Sequence, residues 1–156
     1  MAQSEHFALL ASRVVSTLRP EIEKKIVDLT HKHHGLNSGE LRLRLWIVES
    51  TIVLLAGENS TADVARLEHF FSAFWSDISK ELQLDFPGRD ALQDFDNGMD
   101  RLTAEIASDR QQLAPEKVSM AMANRITAFL GVPEGEPFEY GYKLATSTQF
   151  LDHLPE

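Results

Sequence analysis

Cysteine is missing from the 156 residues of this sequence. Its absence excludes disulfide frameworks, thiolate metal sites and thiol nucleophiles. A chain of this length buries roughly two-thirds of the surface that its unfolded form exposes, so a core forms without covalent or metal cross-links. We therefore expect one globular domain that is held together by side-chain packing.

Long apolar runs are also missing. The longest, over residues 45–57, is shorter than the roughly 20 residues that span a bilayer, and Glu49 and Ser50 interrupt it. The N-terminal residues include no basic start ahead of an apolar run, which argues against a secretory signal. We expect a cytoplasmic protein that makes no contact with a membrane.

Basic residues are few, because 15 Lys and Arg stand against 24 Asp and Glu, for a net charge of −9. This balance argues against a nucleic-acid partner. The excess is local, since residues 58–113 hold five basic and twelve acidic side chains. Such a surface attracts basic partners, so an acidic mimic of nucleic acid is one hypothesis, although solvated helix faces explain the charge equally well.

Catalytic motifs are absent as well. The sequence contains no glycine-rich phosphate loop, no Gly-x-Ser-x-Gly elbow and no Glu-x-x-His pair. We therefore predict no catalytic residue and no cofactor, and the pattern disfavours an enzyme.

What the sequence does contain is an apolar period of 3.6 residues. It predicts an all-α, single-domain bundle of five to six helices around a buried central helix, with a C-terminal arm. The first apolar stripe runs from Phe7 past Pro20 to His33, either as one kinked helix or as two short ones. Glycine and asparagine over residues 35–39 end it.

The central helix is predicted over residues 40–56, because apolar side chains cover most of its circumference. Gly57 is expected to end this helix. The next helix is predicted over residues 61–84, with a cap in residues 59–61 and Asp63 near its positive end.

The helix over residues 61–84 has a stripe of aromatic side chains that includes Phe70, Phe74 and Trp75. Such a stripe is typical of a core and less often of a ligand pocket. Helices over 92–113 and 115–130 follow, and they complete a bundle of residues 1–131.

Residues 132–156 are predicted to form an arm, because proline and glycine stop the helix before it. Aromatic residues at alternate positions up to Leu144 predict an extended stretch, and a short helix is expected near residues 147–154. Four aromatic residues are predicted to bind a partner: Phe138, Tyr140, Tyr142 and Phe150. The partner is a second copy or another protein, although packing onto the same bundle fits the pattern equally well.

Two clusters contain residue types that bind metal ions, but the spacing of these residues does not fit a metal site. His31, His33 and His34 do not share a helical face, so no metal is predicted there. Acidic residues over 94–105 match four positions of a calcium loop, but the glycine stands one position early, at Gly98. The helical period continues through this segment and favours a helix that is weakened at Gly98.

Two charges lie on apolar stripes. Glu49 is the only charged residue over 45–57, and Arg125 lies among apolar residues of the helix over 115–130. Because a buried charge requires a partner, we predict that Glu49 pairs with Arg125. A second option is a pair with Arg42 or Arg44 of a neighbouring copy. The functional alternative to a structural salt bridge is a polar spot in an apolar pocket.

These patterns leave three hypotheses for function. The first is a non-enzymatic interaction or regulatory protein, a cytoplasmic homodimer that uses the arm as a contact surface. The second is a small-molecule- or metal-binding helical domain with a pocket near Glu49, Arg125 and Trp75. The third is the acidic mimic. A binding domain should have Glu49 or Arg125 in a pocket wall, whereas an interaction protein should have a filled core and an apolar outer patch.

Overall fold

The computed structural model describes residues 2–132 and 140–154. These residues form six helices: α1 (Ala2–Lys32), α2 (Ser38–Asn59), α3 (Val64–Asp85), α4 (Ala91–Gln112), α5 (Pro115–Leu130) and α6 (Tyr140–Asp152). The described part has no strand, so the predicted all-α bundle is confirmed. None of the described helices is long and apolar enough to cross a membrane.

Helix α2 lies at the centre of the bundle. Every residue from Leu45 to Val53 is buried, because α1, α4, α5 and α6 all pack against this helix. Helix α3 lies further out and packs on α1 and α4. The continuous apolar surface of α2 is thus explained by neighbours on several sides.

The end of α2 differs from the prediction. The helix continues through Gly57 to Asn59, and α3 is capped by Asp63, whose side chain accepts a hydrogen bond from the Arg66 amide at 2.9 Å. The expected end at Gly57 and the expected cap in residues 59–61 are both wrong. A Cβ atom at Gly57 would lie 2.8 Å from the ring of Phe71, so the glycine permits close helix packing and does not stop the helix.

Three further predictions concern where a helix continues and where it ends. Helix α1 passes through Pro20 as a single helix. Helix α4 passes through residues 94–105 without interruption, so the helical alternative to a calcium loop is confirmed. Gly131 ends α5 with a positive φ of 75°, as its position predicts.

The arm is more helical than expected. Helix α6 begins at Tyr140, so the extended stretch predicted for residues 140–144 is wrong. The helix packs along α2, and both Leu151 and Leu154, which follows the helix, are buried. This tertiary contact outweighs the local alternating pattern. Phe138 lies outside the described residues.

Candidate functional site

A cavity of about 300 Å³ lies between α1, α2 and α6. Its wall is mainly apolar and includes Val14, Leu18, Ile52, Val53, Phe150 and Leu151. Each of the three helices contributes to this wall. The cavity therefore exists only because α6 packs on the bundle.

The polar residues of the wall are Arg13, Thr17, Thr146, Ser147 and a network of two carboxylates and one ammonium. Glu49 of α2 is only 5% exposed. The Lys143 ammonium of α6 donates to Glu49 Oε1 at 2.5 Å and to Glu21 Oε2 of α1 at 3.0 Å. Within the described residues, no donor reaches Glu49 Oε2. One oxygen of a buried carboxylate thus remains available in the cavity wall.

Burial raises the pKa of Glu49, because the cost of removing the carboxylate from water exceeds the attraction of Lys143. Burial alone would lower the pKa of Lys143. The charges and hydrogen bonds of Glu49 and Glu21 together outweigh that effect and raise it. The lysine is thus held in its charged form, whereas Glu49 takes up a proton more readily than an exposed glutamate.

The C-terminal end of α6 is attached to the connection between α2 and α3. Asp152 Oδ1 accepts hydrogen bonds from the backbone amide and the hydroxyl of Thr61, at 2.5 and 3.1 Å. The Arg66 guanidinium donates to the carbonyl of Leu154 at 2.9 Å. With Lys143 near the other end of the helix, these contacts position α6 over the cavity.

Arg125 is not part of this site, and the predicted pair between Glu49 and Arg125 is wrong. The Arg125 guanidinium makes two hydrogen bonds to Asp109 of α4, at 2.8 and 2.9 Å. Its side chain is 41% exposed, because it extends from the edge of the apolar stripe towards α4. The hydrogen bonds from Arg125 lower the pKa of Asp109.

Lys143 is the cation that sequence reasoning missed. It is the only basic residue after Arg125, and it lies in the arm that was expected to be extended. The sequence has one isolated cation in the arm and one isolated carboxylate on the central helix. Matching these two charges would have predicted the pair between Lys143 and Glu49. Only the helical conformation of α6 makes their contact possible.

Trp75 lies away from the cavity wall. Its ring contacts those of Phe71, Phe74 and Phe95, with centroid distances of 5.6, 5.0 and 6.3 Å. Phe70 and Phe74 are fully buried. The aromatic stripe is therefore part of the core, which is the interpretation that the sequence favoured over a ligand pocket.

Phe150 lines the cavity and contacts Phe70 at a centroid distance of 5.8 Å. Within this chain α6 packs on its own bundle. The side chains of Tyr140 and Tyr142 lie, like Phe138, outside the described part of the chain. Their binding to a partner stays a prediction.

The histidines near the end of α1 are separate from the cavity. His31 and His34 are exposed, and His33 is half-buried. Across the described residues there is no group of three or more His, Asp or Glu side chains that could hold a metal ion.

No family model, no curated protein and no solved structure matches this chain. The function of the cavity is therefore inferred from its own chemistry.

Proposed function

We propose that this protein binds a small amphipathic molecule in the cavity between α1, α2 and α6. The observation that carries the proposal is the buried carboxylate of Glu49 in an otherwise mainly apolar wall. Cavities of roughly 300 to 1,000 Å³ with apolar walls and a few polar groups are typical of small-molecule sites. This chain satisfies both conditions.

The charges of the site indicate which polar group the ligand has. The charges of the four ionised side chains that line the cavity, Arg13, Glu21, Glu49 and Lys143, cancel, so the preference depends on Glu49, which is the most deeply buried of them. Because Glu49 Oε2 accepts no hydrogen bond within the described part of the chain, it favours a donor on the ligand. We infer a primary amine or a hydroxyl group, attached to an aliphatic body that contacts Ile52 and Phe150.

Native mass spectrometry of the purified protein, before and after a chelator, is the first test. Retained organic mass supports the proposal directly. If the protein retains no such mass, three probes with the same chain are titrated: octylamine, 1-octanol and octanoate. We expect the amine and the alcohol to raise the melting temperature more than octanoate does. Tighter binding of octanoate, or no shift with any probe, would contradict the proposal.

A variant that fills the cavity locates the binding site. Val14 is half-buried in the cavity wall, so Val14→Phe places a ring inside the cavity. Val27 lies on the same helix and is 68% exposed, so Val27→Phe is the matched control. We expect Val14→Phe to abolish binding of octylamine and Val27→Phe to preserve it. Full binding by Val14→Phe, with a native circular dichroism spectrum, would exclude this cavity.

A second proposal is a cytoplasmic homodimer that acts through protein contacts. The exposed carboxylates of Asp90, Asp96 and Asp100 support the protein contacts and not the dimer itself, because they lie on one acidic segment that would attract a basic surface on a partner. Light scattering of the full chain tests the dimer. A monomer mass would contradict the homodimer and leave the cavity as the candidate site.

A further inference from the structure

A second cavity, of about 360 Å³, lies between α2, α4 and the C-terminal end of α5. Three buried apolar side chains line it: Leu43, Ile47 and Phe129. Arg44, Arg89 and Arg101 line it as well, together with Glu40, Asp94 and Asn97. Three arginines in one cleft are notable in a chain with a net charge of −9.

Arg89 is already neutralised by carboxylates. It donates to Asp94 Oδ2 at 2.9 Å and to Glu40 Oε1 at 3.0 Å, and these three groups together have a charge of −1. Arg89 thus connects the start of α4 to the start of α2. It contributes to the shape of the cleft and adds no net positive charge.

Arg44 and Arg101 have no carboxylate partner within the described residues. Arg44 Nη1 donates to the carbonyl of Phe129 at 3.2 Å, and the Arg101 guanidinium lies 5.1 Å from the centroid of the Phe129 ring. Both cations therefore contact the same residue, at the end of α5. The negative end of the helix dipole offsets only part of their charge.

We propose that Arg44 and Arg101 bind the oxyanion of a small organic phosphate or carboxylate. Guanidinium groups present several N–H donors in a plane that matches such oxyanions. The side-chain nitrogen of Asn97 is a further donor, since among the described residues only its Oδ1 is engaged, by Gln93 at 3.1 Å. The apolar part of the ligand contacts Leu43 and Ile47. This site is separate from the cavity at Glu49, and neither proposal depends on the other.

An NMR titration of the full chain tests the proposal, with phenyl phosphate, benzoate and inorganic phosphate as probes. The reporters are the backbone amide of Gly98, which lies in the cleft, and the Nε–H signals of Arg44 and Arg101. We expect phenyl phosphate or benzoate to bind with a dissociation constant of about 1 mM or lower. Inorganic phosphate should bind more weakly, because it lacks the apolar part. The tighter of the two aromatic probes identifies the oxyanion.

Arg101→Gln should weaken binding at least about tenfold, because one of the two guanidinium groups is lost. Arg101 is exposed, so this variant is expected to fold. Lys117→Gln removes one exposed positive charge outside both cavities and should leave binding unchanged. An equal loss in both variants would indicate general charge attraction and overturn the proposal. Absence of a shift at Gly98 with all three probes would also overturn it.

Discussion

Lys143 of α6 donates a hydrogen bond to Glu49 of α2 across 94 positions of the sequence, at 2.5 Å. The contact connects the C-terminal helix to the most deeply buried part of the bundle. It also lies in the wall of the cavity that we propose as a ligand site. One ion pair thus serves both the fold and the candidate function.

Replacement of Lys143 by methionine should destabilise the protein by about 3 kcal/mol at neutral pH, because it leaves the buried Glu49 carboxylate unpaired. Urea unfolding of the wild type and of Lys143→Met measures this difference.

The control for that variant is the double substitution Glu49→Gln with Lys143→Met. Once the carboxylate is gone, loss of the lysine should cost about 1 kcal/mol or less, so the two substitutions should not be additive. If Lys143→Met lowered the stability by the same amount in the wild type and in Glu49→Gln, the ion pair would not be the cause of the loss.

The stability of the protein relative to Glu49→Gln should fall as the pH rises. Burial raises the pKa of Glu49 above its ordinary value of 4.5, so the folded state binds a proton more tightly than the unfolded state. Stability from this group is fully present below pH 4.5 and is lost as the pH passes through the raised pKa. Urea unfolding of both proteins from about pH 4 to about pH 8 measures the trend. A constant difference between the two proteins would contradict the raised pKa.

Ser50→Ala should stabilise the protein by about 1 kcal/mol. Ser50 Oγ is buried and, among the described residues, has no hydrogen-bond partner, so alanine removes an unpaired polar group. Alanine also has the higher helix propensity. Thermal and urea unfolding measure the gain.

Thr51→Val is the matched control for Ser50→Ala. Thr51 is also buried, but its hydroxyl donates to the carbonyl of Ile47 at 2.7 Å. Its replacement should therefore bring no comparable gain. A loss of stability in Ser50→Ala would mean that the serine hydroxyl is satisfied in solution.

Gly57→Ala should destabilise the protein by about 1 to 2 kcal/mol. A Cβ atom there would lie 2.8 Å from the Phe71 ring and 3.8 Å from Leu151, so a helix or a ring must move. Overpacking of this kind costs about 1 to 3 kcal/mol, and the gain in helix propensity of about 1 kcal/mol offsets part of it. Chemical denaturation measures the net effect.

Gly39→Ala provides the comparison for Gly57→Ala. A Cβ atom at Gly39 would lie 3.3 Å from Asn37 Oδ1, the oxygen that caps α2 by accepting a hydrogen bond from the Glu40 amide. The gain in helix propensity and a small shift of this cap oppose each other, so the variant should be about as stable as the wild type. If Gly57→Ala showed the same result, close packing of Phe71 on α2 would not be needed.

The number and type of the helices in the bundle follow from local patterns. The period of apolar residues, together with Pro115 and Gly131, predicted the helix over 115–130 at its observed bounds. The nearly continuous apolar surface of α2 predicted its central position. Both patterns act over neighbouring residues, since a helix joins residues three and four apart and buries whichever face is apolar.

By itself, the sequence determined an all-α bundle, a buried α2 and an isolated charge at Glu49. Tertiary structure decided that Lys143 and not Arg125 pairs with that charge, and that residues 140–144 are helical despite their alternating pattern. It also brought Arg44 and Arg101 into contact with Phe129, which lies 85 and 28 positions further along the chain. The physical reason is that side-chain partners depend on which helices pack together, and that contact energy outweighs local propensity.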